Sequence, residues 1–160
     1  MFSDSMNAPR AVFEAVCFDA DGNEKWREIV PNLVLNNGKT DIVDKYLKGS
    51  SYTASWYLLL KGTGTIAAGD TLASHAGWTE LQPYAGSNRP AITWGTTSSG
   101  SNTSTAVSIS INATATVAGA GITPVQTGTS GLLYNAADFG TARSVVSGDT
   151  LNVTVTISVT

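Results

Sequence analysis

The sequence predicts a mainly β protein: an antiparallel β-sandwich, jelly-roll or immunoglobulin-like, with one short α-helix near residues 38–48. Three observations carry that prediction. Several stretches alternate apolar and polar residues, most completely LNVTVTISVT at positions 151–160, and alternation at period two marks a strand with one buried face. Glycine-containing turn clusters punctuate the chain at short intervals, as in sandwiches and jelly rolls. Charged residues are only 13% of the chain, about half the usual ~25%, and the difference is made up by Thr, Ser, Gly and Ala. Low charge with abundant β-branched residues describes a folded β protein, not a disordered one.

Taken in order, residues 1–9 read as an irregular arm, and residues 10–160 as one β-rich domain. Within it, 10–50 supply a hairpin plus the helix and 51–160 the sandwich strands. RAVFEAVCF, residues 10–18, reads as a strand. The turn cluster DADGNE follows at 19–24, then KWREIV at 25–30, with Trp26, Glu28 and Val30 on one face and Lys25, Arg27 and Ile29 on the other. Pro31 ends this hairpin. In NNGKTDIVDKYLKGS, Ile42, Val43, Tyr46 and Leu47 recur at helical spacing, Asn37 or Thr40 can cap the start, and Gly49 can stop it. A helix of about three turns needs a sheet beneath it.

SWYLLLKG, residues 55–62, reads as a buried strand, and 64–90 as loop. RPAITWG reads as a short strand ending at Trp94, and TTSSGSNTS as a flexible loop. TAVSISINATATVAG reads as one alternating strand: Val107, Ile109, Ile111, Ala113, Ala115 and Val117 oppose Ser108, Ser110, Asn112, Thr114 and Thr116. GITPVQ, GLLYNAADFG and ARSVV supply further short strands or turns. The tetrapeptide Gly-Asp-Thr-Leu occurs twice, within Ala67–Leu72 and Val146–Leu151. Two copies make no repeat architecture, and the expectation is one turn chemistry used twice.

Charge is unevenly placed. Fourteen of the 21 Asp, Glu, Lys and Arg residues lie in positions 1–50, and none lies between Arg89 and Asp138. Net charge is −3 and the basic residues form no run, which argues against nucleic-acid binding through phosphates. One cysteine, Cys17, permits no internal disulfide. No apolar run approaches the ~18 residues of a membrane span, so no membrane partner is expected. MFSDSMNAPR lacks the pattern of a secretion signal, and synthesis in a cytoplasm is the expectation.

Motifs that suggest chemistry have plainer readings. Asp19-Ala20-Asp21-Gly22-Asn23-Glu24 resembles a calcium loop only faintly: its twelfth position is Val30 and strands flank it, so a hairpin turn is expected. Ser74, His75 and Asp70 lie close in sequence, but sequence neighbours rarely form a triad and no G-x-S-x-G elbow exists. One His and one Cys make no zinc set. Cys17 shares a strand face with Phe13 and Ala15 and reads as a small buried hydrophobe. Trp26, Trp56, Tyr57, Trp78, Tyr84 and Trp94 offer a sugar platform, though in β proteins such rings more often fill the core. The Asn102, Asn112 and Asn152 sequons are products of Thr-rich composition. The expectation is therefore no enzyme, no catalytic residues, no cofactor and no metal.

What stands out is the polar face of the last strand: Asn152, Thr154, Thr156 and Ser158, with no charge. The segment around 107–117 has the same character. Edge strands in water usually carry charges that block edge-to-edge pairing, whereas interface cores are depleted in charge. Either another protein surface covers these faces, or the two strands cover each other within one sandwich.

The segments DGNEKWRE (21–28), PNLVLNNG (31–38), WYLLL (56–60), DTLASHAGWTEL (70–81), YAGSNRP (84–90) and GDTLNVTV (148–155) resemble a group of small proteins encoded among the head genes of tailed bacteriophages. The resemblance covers most of residues 11–160 and implies a virion structural protein. The type implied is a capsid cement or decoration protein, made in the host cytoplasm, that stabilises the shell across capsomer seams. It implies the major capsid protein and further copies of itself as partners, and it carries no active-site residues. The interface would use Phe2, Met6 and Pro9 of the arm together with Asn152, Thr154, Thr156 and Ser158. The alternative is a phage tail or fibre component, or a carbohydrate-binding sandwich module.

Overall fold

A computed structural model describes residues 10–49, 51 and 55–158. The arm residues Phe2, Met6 and Pro9 lie outside them. Two antiparallel sheets pack face to face, as the alternation predicts. The first runs β2 (Glu24–Pro31), β1 (Arg10–Phe18), β10 (Thr150–Ser158), and then β6 (Ser101–Thr103) and β7 (Val107–Ser110), which share the far side of β10. The second runs β3 (Leu33–Val34), β9 (Asn135–Val145), β8 (Ala115–Thr123), β4 (Tyr57–Gly64), β5 (Trp78–Leu81).

The main core lies between the sheets. Phe13, Ala15 and Cys17 of β1, and Leu151, Val153 and Val155 of β10, meet Leu58 and Leu60 of β4 and Val117, Ala120 and Ile122 of β8. A smaller cluster covers the outer side of the second sheet, where Leu35, Leu59, Leu72, Trp78 and Leu133 pack together beneath the loops that carry Ile66 and Val125. This is why β8 is buried on both faces from Val117 to Thr123. Lys61 is wholly buried on that outer side. Its ammonium reaches across Gly119 to Asp138 at 2.6 Å and donates to the carbonyls of Gly62 (3.0 Å) and Gly64 (2.6 Å). All three N–H bonds are used, which makes a buried lysine tolerable. Gly119 has to be glycine, because a Cβ there would collide with the Ala137 carbonyl.

The β1–β2 hairpin, β4 and β10 match the sequence reading. Elsewhere it needs correction. The run from Thr105 to Gly119 is two strands in different sheets, broken at Asn112–Thr114, where the chain crosses the sandwich. Residues 88–95 form only isolated bridges, Ala91 to Tyr57 and Trp94 to Ser104, while the expected loop that follows contains β6. The loop region 64–90 contains β5. Residues 135–145 are one eleven-residue strand.

The helix also differs. It starts earlier, as α1 (Asn36–Ile42), and passes into a π turn at Val43–Leu47; its first residue follows Leu35, with no side-chain cap. Gly49, at φ +73°, stops it as expected. Ile42 packs against the main core, but Val43 and Tyr46 are 47% and 76% exposed. The helix docks instead through Gly38, which lies so close to the Tyr134 carbonyl that no side chain fits.

Candidate functional site

β10 is not an edge strand. It pairs with β1 over nine residues, from Phe18↔Thr150 to Arg10↔Ser158, and on its other side with β7 and β6. Its backbone is therefore satisfied within the chain, and the lack of charge needs no partner at that edge. The two uncharged strands do not cover each other either. Val107–Ser110 lies beside β10 in the same sheet, so the polar residues of both strands share one outward face.

The register defines that face. Ser101 and Thr103 on β6 stand opposite Ser158 and Thr156, and Ser108 and Ser110 on β7 stand opposite Asn152 and Thr150. Thr154 lies between these rows, opposite Glu14 of β1. The inward alternates Leu151, Val153 and Val155 are fully buried, while Asn152, Thr154, Thr156 and Ser158 are half-buried and Thr103, Ser108 and Ser110 exposed. The Thr103 and Thr156 hydroxyls share a hydrogen bond of 2.9 Å. The Ser104 hydroxyl turns in and accepts from the Val155 N–H at 3.0 Å. Asn152 Oδ1 is buried without a hydrogen-bond partner among the described residues.

Charge returns at the other side of the sheet. Arg27 pairs with Glu14 and, at 2.9 Å, with Glu24, lying over Val16. Ile29 beside them is 63% exposed. The face thus has a charged half on β1 and β2 and a hydroxyl half on β10, β6 and β7. A hydroxyl donates or accepts as required and is far easier to remove from water than an ion. Such a surface can be covered by another protein at low desolvation cost.

The other candidate residues are used within the fold. Asp19 Oδ1 accepts from the backbone N–H groups of Asp21 (3.0 Å) and Asn23 (2.8 Å), which makes the DADGNE segment a self-bonded hairpin turn. The Asp70 carboxylate is taken up elsewhere than at His75, accepting from the Trp78 indole at 2.8 Å and the Ala67 N–H at 3.0 Å. His75 stacks on Trp78, with ring centroids 4.0 Å apart, and its Nδ1 meets the Trp78 carbonyl. No triad forms among Ser74, His75 and Asp70.

The repeated Gly-Asp-Thr-Leu does use one turn chemistry twice. Asp70 bonds both the N–H and the carbonyl of Ala67, and Asp149 does the same with Val146. Each carboxylate then takes a distant donor, Trp78 for Asp70 and Lys25 (2.6 Å) for Asp149. Burial pushes the Asp149 carboxyl up, but bonds from Lys25 and Val146 outweigh it and hold the group below the ordinary carboxylate range. Cys17 lies 3.6 Å from Asp149; burial and then that charge push its thiol up to about 11, so it is inert near neutrality.

Most of the candidate aromatic residues are used within the fold, and Tyr57 is half-buried on β4. Trp78 and Tyr84 are buried, and Trp26, Trp56 and Trp94 pack against the main core. A cleft of about 410 Å³ opens beside Glu80, Gln82, Arg89 and Thr127. Arg89 is committed there to Glu80, through two 2.7 Å bonds, and to the carbonyls of Val125 and Gly128. It clamps the loop and is not free to receive an anion. Among the described residues no group of three or more His, Cys, Asp or Glu side chains is placed to hold a metal ion. No helix there is long and apolar enough to cross a membrane. No protein-family model matches the chain, and no curated protein is similar to it.

Proposed function

We propose that the chain is a virion structural protein of the cement or decoration type, which binds a phage head across capsomer seams through the hydroxyl half of its first sheet. The observation that carries this reading is the continuous outward field of Ser101, Thr103, Ser108, Ser110, Asn152, Thr154, Thr156 and Ser158, without an ionised group among them. The resemblance to head-gene products supports it independently. A protein that bridges two capsid subunits binds only the assembled shell, and so stabilises that state by mass action.

The test is co-sedimentation of the purified protein with expanded empty heads, with unexpanded heads and with free capsid protein. Wild type pellets with expanded heads and little with free capsid protein. Asn152→Lys/Thr156→Lys keeps the fold, because both positions face outward, and loses at least about tenfold in affinity, since neither residue stands opposite a carboxylate and two buried unpaired ammonium groups oppose docking. Equal binding to heads and free subunits, or undiminished binding by the double variant, overturns the proposal.

A further inference from the structure

Asn37 is the one asparagine of the chain that precedes a glycine, and the fold demands that glycine. A Cβ on residue 38 would collide with the Tyr134 carbonyl, so the contact that docks α1 admits no side chain. A glycine is also the following residue that least hinders attack by its own amide nitrogen on an asparagine side chain, because it has no Cβ. Packing therefore keeps in place the pair of residues in this sequence most open to cyclisation.

The local geometry favours the reaction. The Gly38 N–H points at Asn37 Oδ1, 3.0 Å away. Loss of that proton leaves a lone pair directed at the amide group whose carbon is the electrophile. Gly38 is the third residue of α1 and precedes Lys39, whose N–H makes the first i−4 bond of the helix, to Leu35 O at 3.0 Å. The Gly38 amide is thus one of the donors that the helical ladder does not hold. Ring closure also requires Asn37 to leave its helical ψ. The turn it occupies resists this little, because Leu35 at the cap position gives it no side-chain bond. Asn37 is half-buried, within reach of water.

We infer that Asn37 and Gly38 form a self-modification site that releases α1 from its dock. Gly38 N bonds to Asn37 Cγ, the Cγ–Nδ2 bond breaks, and ammonia leaves. Water then opens the five-membered imide, so the whole conversion takes in one water and gives out one ammonia. Opening at Cγ leaves an aspartyl residue at position 37. Opening at the main-chain carbonyl leaves an isoaspartyl residue, whose backbone is one carbon longer. The aspartyl product keeps Gly38 on Tyr134 and adds a negative charge to a first turn that has no acidic residue, which suits the helix dipole. The isoaspartyl product lengthens the chain between Leu35 and Gly38. Both residues meet the same Tyr134 carbonyl, Leu35 through its N–H at 3.1 Å, so the close contact is lost. The site is separate from the shell-binding proposal and is tested without heads, so the two can fail separately.

The experiment is incubation of the folded protein at neutral and mildly alkaline pH, read by peptide mass mapping, isoaspartyl detection and amide hydrogen exchange. Position 37 gains the mass difference between an amide and an acid, faster at the higher pH, at a rate within about tenfold of that in the urea-unfolded chain. In the isoaspartyl fraction the amides of α1 lose their protection. Asn37→Asp, which carries the charge of the other product, keeps it. Asn37→Gln would have to close a six-membered ring, and it keeps both its mass and its protection. A folded wild type that stays unchanged while the unfolded chain is modified overturns the inference. So does modification of other asparagines and not of Asn37, unchanged α1 protection in the isoaspartyl fraction, or equal loss of protection with age in Asn37→Gln. The wild-type map decides even if a variant misfolds.

Discussion

At the scale of single residues, Asp149 ties together three parts of the chain. Its carboxylate holds the turn before β10 through Val146, pairs with Lys25 of β2 and meets the Cys17 thiol of β1. Cys17 contributes a pH dependence of known sign. The folded thiol ionises only near pH 11, whereas the unfolded one does so from its ordinary value of about 9.0. Its contribution is fully present below pH 9 and is lost as pH rises through 11, about 3 kcal/mol in all at ~1.4 per pH unit. Urea unfolding at pH 7.5, 9 and 10.5 measures this. Wild type loses more stability along the series than Cys17→Val does, and parallel losses in the two proteins would refute the assignment. The sequence showed Cys17 as a buried strand residue through its alternation with Phe13 and Ala15. It could not show Asp149, which lies 132 positions away and reaches Cys17 only because the first and last strands pair.

At the scale of elements, the helix separates pattern from packing. Its apolar spacing was legible in the sequence, but the spacing does not say which face meets the sheet. Here the contact is made by Gly38 and Ile42, and Tyr46 points outward. Gly38→Ala should therefore destabilise by about 1–3 kcal/mol, because overpacking against Tyr134 outweighs the ~1 kcal/mol gain in helix propensity. Tyr46→Ala should change stability by no more than about 0.5 kcal/mol. Thermal unfolding of both variants checks the pair, and the reverse order would mean that the helix is docked by its aromatic face. Strands were legible where alternation ran between clear turns, as in β1, β2, β4 and β10. β9 was not, because its start, Asn135-Ala136-Ala137, is buried on both faces and does not alternate. The 105–119 run kept its period across a sheet change, and only the break at Asn112–Thr114 reveals it.

At the scale of the molecule, β1 and β10 pair along their full lengths, so the first sheet closes only when both ends of the described chain are in place. The charged first third supplies β1 and β2, and the charge-poor remainder supplies β10, β6 and β7. The uneven charge of the sequence thus becomes two halves of one sheet surface. The hydroxyl composition of that surface was legible from residues 152–158. Its extent was not, since β6 and β7 join it through pairings at long range. The central position of β10 removes edge protection as a reason for a partner and leaves the outward face as the ground for one. For the proposed cement role, cryo-electron microscopy of phage particles incubated with the protein tests that ground most directly. The account predicts density for the sandwich on the head exterior at capsomer seams, with Thr103, Thr154 and Thr156 against a capsid subunit. Density only on the tail, or a sandwich on the head with this face turned to solvent, would contradict it.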